Sequence, residues 1–216
     1  MDFKEDILKL SKDIIQKILI KSEKLYNDRF YKNKIRKLNI IDKIKSYTPE
    51  ERLIELPYIL SATNSRPRSL FYIFNNINII FLYNPSWEAS GQSNYLNNTI
   101  TVNLSQIASM FELQSTIIHE LSHLEDKNYS SYNFDNYNPV AGVDYFTHEV
   151  EVLPWLMEIW FHNYSHNTSF NDSLYNAMSL YCEAHEIDII KEYYISKINS
   201  NDFLRNNFSC LLENQN

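Results

Sequence analysis

Glycine is nearly absent from this chain: Gly91 and Gly142 are the only two in 216 residues. Loops that cradle phosphate need several closely spaced glycines so that backbone N–H groups can approach the ligand. Neither a GxGxxG nor a GxxxxGK[ST] pattern is present, which excludes nucleotide-dependent chemistry of those kinds. Cysteine is equally scarce, with Cys182 and Cys210 alone. Without a C-x-x-C pair there is no dithiol redox motif and no thiolate zinc site, and two cysteines near the C-terminus read as free thiols of a reducing compartment. Long apolar runs are missing too. The N-terminus carries Asp2, Glu5 and Asp6 where a secretory leader would be basic, and no stretch approaches a membrane span. The expectation is a cytoplasmic protein that makes no membrane contact, in its own cell or in that of a host.

Positive charge is rare beyond the N-terminal region. Residues 1–48 hold 13 Lys+Arg against 7 Asp+Glu, a net of +6, and the remainder holds 7 against 20, a net of −13. So acidic a body disfavours nucleic acid. The basic segment can serve as a solvated helix face or dock on an acidic partner or on the body itself.

What is present is a hydrophobic content of 44%, ordinary for a globular protein with its own core, in a composition biased to Asn, Ile, Tyr and Lys. Ile7, Leu8, Ile14, Ile15, Ile18, Leu19 and Leu25 recur at helical spacing and predict an amphipathic helix over 4–27. Thr48-Pro49-Glu50-Glu51 predicts a helix start, with Thr48 as cap, Pro49 first and Glu51 closing a capping box. A loop is expected around Pro67. Leu70–Phe74, Ile77–Tyr83 and Asn98–Leu104 predict strands, with turn-like sequence over Gly91–Asn98. Helices are expected over Gln114–Asp126, from Thr147 to about Tyr164, and over Ser173–Ile198, with a polar loop over Lys127–Pro139. The reading is a basic helical arm over 1–48 and an α+β domain over 49–216. Trp155, Ile159 and Trp160 read as core.

Within the helix over 114–126 stands His119-Glu120-Leu121-Ser122-His123. Residues four apart share one helix face, so both imidazoles can reach one metal ion. Neutral imidazole suits Zn²⁺. Glu120 lies about 100° round the helix from His119. There it can take a proton from zinc-activated water and pass it to a leaving amine.

A strand at Asn98–Leu104, the segment Thr116–His123 and a later Glu-x-Glu helix (Tyr145-Phe146-Thr147-His148-Glu149-Val150-Glu151) together resemble the gluzincin clan of zinc metallopeptidases, nearest its small, minimal members. The resemblance covers about residues 70–165. It implies a zincin-like fold, with a small, mostly antiparallel sheet packed on the motif helix, and hydrolysis of peptide bonds in a protein or peptide substrate. It implies zinc ligation by His119, His123 and a downstream glutamate, for which Glu149 fits best and Glu151 is the alternative. The clan usually places Asp or Asn four residues after that glutamate to orient a motif histidine. Counted from Glu149, Leu153 stands there, leaving Asp126, Asp144 or Glu151 to substitute. Pro154 predicts a kink that bears on which glutamate faces the metal. The resemblance further implies a Tyr or His that steadies the oxyanion. Tyr145 is the candidate, ahead of His162, His166, Tyr181 and His185. It also implies that Asn98–Leu104 is an edge strand that pairs with extended substrate. A non-enzymatic scaffold that retains a zinc helix is the competing reading, and zinc hydrolysis of a non-peptide amide is a third.

Overall fold

A computed structural model describes residues 2–28, 32, 33, 35, 36, 38, 41–61, 69–126 and 142–213. The loop expectations around Pro67 and over Lys127–Pro139 lie outside the described residues. The chain divides into two compact units, one formed by residues 1–8 with 118–216 and the other by residues 9–117. This is not the expected division at residue 48. The first turns of the N-terminal helix belong to the unit that holds His119 and His123, and the rest of that helix belongs to the other.

The long helix α1, Phe3–Asn27, follows its hydrophobic pattern. Ile7, Leu8, Ile14, Ile18 and Tyr26 are buried together with Lys4, Ser11 and Ser22, a stripe at three- and four-residue steps. Within the 9–117 unit, Lys17 and Lys21 lie over the rings of Phe74 and Tyr72 at 3.9 and 4.2 Å. Two of the basic residues of the supposed arm thus cover aromatic surface of the sheet. Helices α2 (Ile41–Ser46) and α3 (Pro49–Ser61) follow. The capping box forms as expected: Thr48 N–H donates to Glu51 Oε2 at 2.7 Å, and Glu51 N–H donates to Thr48 Oγ1 at 3.2 Å.

The sheet has strands β1 (Ser69–Phe74), β2 (Ile77–Leu82), β3 (Gly91–Asn94) and β4 (Thr99–Asn103) in the order β1-β2-β4-β3. It is mixed. β1 and β2 are antiparallel, joined through Asn75 and Asn76 at positive φ (47° and 66°), which is the twist a two-residue hairpin requires. β2 and β4 run parallel, and β4 and β3 antiparallel. The strand expected at an edge is therefore interior, bonded on both sides, with Ile100 and Val102 fully buried. The edges are β1 and β3, the latter in a segment that reads as turn because Gly91-Gln92-Ser93-Asn94 has no strand pattern; its pairing to β4 makes it a strand. Asn103, fully buried, pins the loop before β3. Its Nδ2 donates to the carbonyls of Asn84 and Trp87, and its Oδ1 accepts from Asn84 N–H.

Helix α4, Met110–Glu125, carries the histidine motif. In the 118–216 unit it is followed by α5 (Val143–Phe146), α6 (Glu149–His166), α7 (Phe170–Met178), α8 (Ala184–Ser200), α9 (Asp202–Phe208) and α10 (Cys210–Glu213). Thr147 does not cap α6. Its hydroxyl bonds Val143 O and closes α5 instead, and His148 takes the cap position. α6 is assigned as one unbroken helix through Pro154. That proline lies in the second turn, where it forfeits one backbone hydrogen bond. The helix expected over Ser173–Ile198 is two: α7 ends at Met178, and α8 starts afresh from a capping box between Glu183 and Glu186. Trp155, Ile159 and Trp160 are core, as their spacing suggests. No helix among the described residues is long and apolar enough to cross a membrane.

Candidate metal centre

Two helices build the site, α4 through its residues from 118 on and α6, so that His119, His123, Glu151 and Glu158 belong to one unit. α4 is apolar where it is buried, at Ile117, Ile118 and Leu121, and the same packing carries His119, Glu120 and His123 into the interior. α6 is buried along most of its length, Val150 to Met157 included. The one carboxylate in that run is Glu151, only 4% exposed. His119 Nε2 lies 3.4 Å and His123 Nε2 3.5 Å from the same oxygen, Glu151 Oε2. The ligand atoms of these three side chains all fall within 4.8 Å of one another, so the group can hold a metal ion. It is the only such group of three among the described residues.

The third corner is thus Glu151 and not Glu149. The side chain of Glu149 is 76% exposed and pairs with Lys197 at 3.7 Å. It lines a cavity of about 280 Å³ with Asp126, Leu153 and Lys197. Two positions on a helix differ by about 200° in direction, so only one of the two glutamates can face the histidines. α6 buries the face that bears Glu151.

The orienting carboxylate is Glu158, a residue absent from the sequence-based candidates. His119 Nδ1–H donates to Glu158 Oε2 at 3.1 Å. Glu158 follows Glu151 by seven residues, almost two full turns, and so returns to nearly the same face. The position four residues after Glu151 is taken by Trp155, whose ring meets that of His119 edge-on at 4.9 Å. One helical turn of aromatic packing thus stands where an acid was expected, and the acid sits one turn further along. A search for carboxylates at i+4 and i+7 from both glutamates would have found it. The bond presents Nε2 of His119, the other ring nitrogen, toward the ligand group.

The electrostatics follow from these contacts. Burial alone would push the His119 imidazole down, but hydrogen bonds to Glu151 and Glu158 and the nearby charge of Glu120 outweigh it and raise its pKa to about 10. Burial likewise opposes the charged form of Glu151, and hydrogen bonds from His119 and His123 override it, holding that carboxyl well below the usual range. The donor set of two imidazole nitrogens and one carboxylate oxygen fits a borderline divalent ion.

Glu120 is buried next to His119 on α4. Tyr145 is half-buried on α5, its ring 6.3 Å from that of Trp155, which itself contacts His119. Of the other expected candidates, Tyr181 is exposed with its ring 6.1 Å from Phe146, His185 is exposed beside Glu183, and His162 and His166 sit on the last two turns of α6. Tyr194, fully buried, donates its hydroxyl to Phe146 O at 2.8 Å and so ties α5 to α8. Burial, and then the charge of Glu151, keep that phenol protonated well above its ordinary range. No known protein family, curated protein or solved structure matches this chain.

Proposed function

We propose that this chain is a zinc-dependent metallopeptidase with a zincin-like fold and gluzincin-type ligation, taking a protein or peptide as substrate. The observation that carries the reading is the pairing of a three-residue ligand group, His119, His123 and Glu151, with a second carboxylate on His119. Zinc bound there would supply Lewis acidity, lowering the pKa of water to about 7 and polarising a carbonyl. Everything else falls to the chain. Glu158 holds the His119 ring in one orientation and one tautomer. Glu120, which no ligand role occupies, is the general base that accepts a proton from the attacking water and delivers it to the departing amine. Tyr145 is assigned to the oxyanion, on its position one aromatic ring from His119.

Metal analysis of the purified protein and of Glu120→Gln is the direct test. Both are expected to retain about one zinc per chain, with turnover of a peptide library falling about 10²–10⁴-fold in the variant. Unchanged turnover would remove Glu120 from its role, and a wild type without metal would reject the whole reading.

One observation favours a second reading. Glu120, His119, His123 and Glu151 are all buried. An ion held by buried side chains, shut away from substrate, is what a structural metal site has. In that case the chain is a scaffold stabilised by its ion. Chelation would then lower the melting temperature sharply, and no peptide would be cut by either form.

A further inference from the structure

The outer end of α6 presents a second pair of histidines with the spacing of the first. His162 and His166 are four residues apart on the last two turns of the helix. Their ring centroids are 6.2 Å apart, against 5.1 Å for His119 and His123. Side chains at i and i+4 project from the same helix face, and two imidazoles so placed can chelate one ion at about 2.0–2.1 Å from each nitrogen. His162 is half-buried and His166 is exposed at the end of the helix.

Two further features of the same helix favour a cation here. The pair occupies the C-terminal end of an 18-residue helix that stops at Asn167 in the left-handed conformation. The last carbonyls of such a helix carry its negative partial charge. Glu158, one turn before His162, keeps its carboxylate on His119 and adds only its negative charge near His162. Burial, the largest influence on His162, lowers its pKa and favours the neutral, ligating imidazole.

We propose that His162 and His166 form a peripheral binding site for a borderline divalent transition metal, with copper(II) preferred over zinc. Two imidazoles with the remaining positions left to water suit the tetragonal geometry of copper(II), which also stands above zinc in general affinity for nitrogen ligands. With two protein ligands the site holds its ion less tightly than the inner group of three. It lies beyond the inner ligand group and does not depend on peptidase activity.

The test uses full-length protein loaded with zinc and then titrated with copper(II), read by electron paramagnetic resonance and by metal content after desalting. Copper exchanges for zinc in the inner group as well, so copper and zinc together are expected to reach about two ions per chain, with nitrogen hyperfine structure from two imidazoles at the outer pair. His166→Ala, at an exposed position, is expected to weaken copper binding roughly tenfold or more and to leave zinc content unchanged, and His162→Gln to do the same. His119→Ala is expected to lose zinc and keep copper. Copper binding and nitrogen hyperfine structure that are the same in His166→Ala as in wild type would overturn the proposal. A protein that retains no zinc but still binds copper, and loses it in His166→Ala, would sink the inner site and sustain the outer one.

Discussion

At the scale of single residues, the site turns on which of two glutamates two positions apart faces inward. Glu149 and Glu151 are chemically identical and both precede the buried run of α6, yet one pairs with Lys197 at the surface and the other meets two imidazoles. Glu151→Gln is accordingly expected to abolish zinc retention and Glu149→Gln to leave it intact, as measured by metal content after dialysis against a weak chelator; the reverse pattern would restore Glu149 as ligand. Glu158→Gln, which keeps size but loses the charge behind His119, is expected to weaken zinc about 10–100-fold. The same contacts set a pH dependence. After chelation, His119 is more basic in the fold, at about 10, than in the unfolded chain, near 6.5. The folded state then binds more protons than the unfolded one between those values. This contribution to stability is full below about 6.5 and is lost as the pH rises toward 10. A chelated sample should therefore melt progressively lower between pH 7 and 10. Zinc must displace that proton, so its affinity should rise with pH over the same window, by up to tenfold per unit. A zinc affinity independent of pH would contradict the raised imidazole.

At the scale of elements, local signals were legible wherever a side chain bonds its own segment. The Thr48–Glu51 box and the stripe of α1 are local chemistry, and the sequence read as helix accordingly. The errors fall where partners are distant. β3 is a strand because β4 lies beside it. Thr147 closes α5 instead of opening α6 because the carbonyl of Val143 lies within reach. Asn103 shows the energetic side of this. It looks like an ordinary strand residue, yet it is fully buried and satisfies two carbonyls and an amide of the 84–87 loop. Replacing it with Leu leaves those part-buried groups without their partner, each at a cost of up to about 1–3 kcal/mol. Asn103→Leu should lower the urea midpoint by the equivalent of about 2–4 kcal/mol. A change below about 0.5 kcal/mol would mean that the loop finds water instead.

At the scale of the whole molecule, the first eight residues are not a detachable arm. They belong to the compact unit that carries the ligand group, with Lys4 between the rings of Trp160 and Phe208 at 5.4 and 5.9 Å, and Phe3 edge-on to Phe203 at 5.3 Å. Ile7 is buried there, whereas Lys12, on the next part of the same helix, is exposed. Ile7→Ala should cost about 2–4 kcal/mol in chemical denaturation, against almost nothing for Lys12→Ala. Equal effects of the two would show that the N-terminal turns do not pack as described. The amino-acid sequence by itself determined the α+β class, the amphipathic helices and the pair His119 and His123 with Glu120 beside them, because spacing along a helix dictates which side chains share a face. Only the tertiary structure decided that Glu151 completes the group, that Glu158 holds His119, and that β4 lies inside its sheet. Each of those depends on how one segment is turned toward another across 21 to 39 residues of chain. That rotation is set by which apolar faces are buried together, a property no single segment carries.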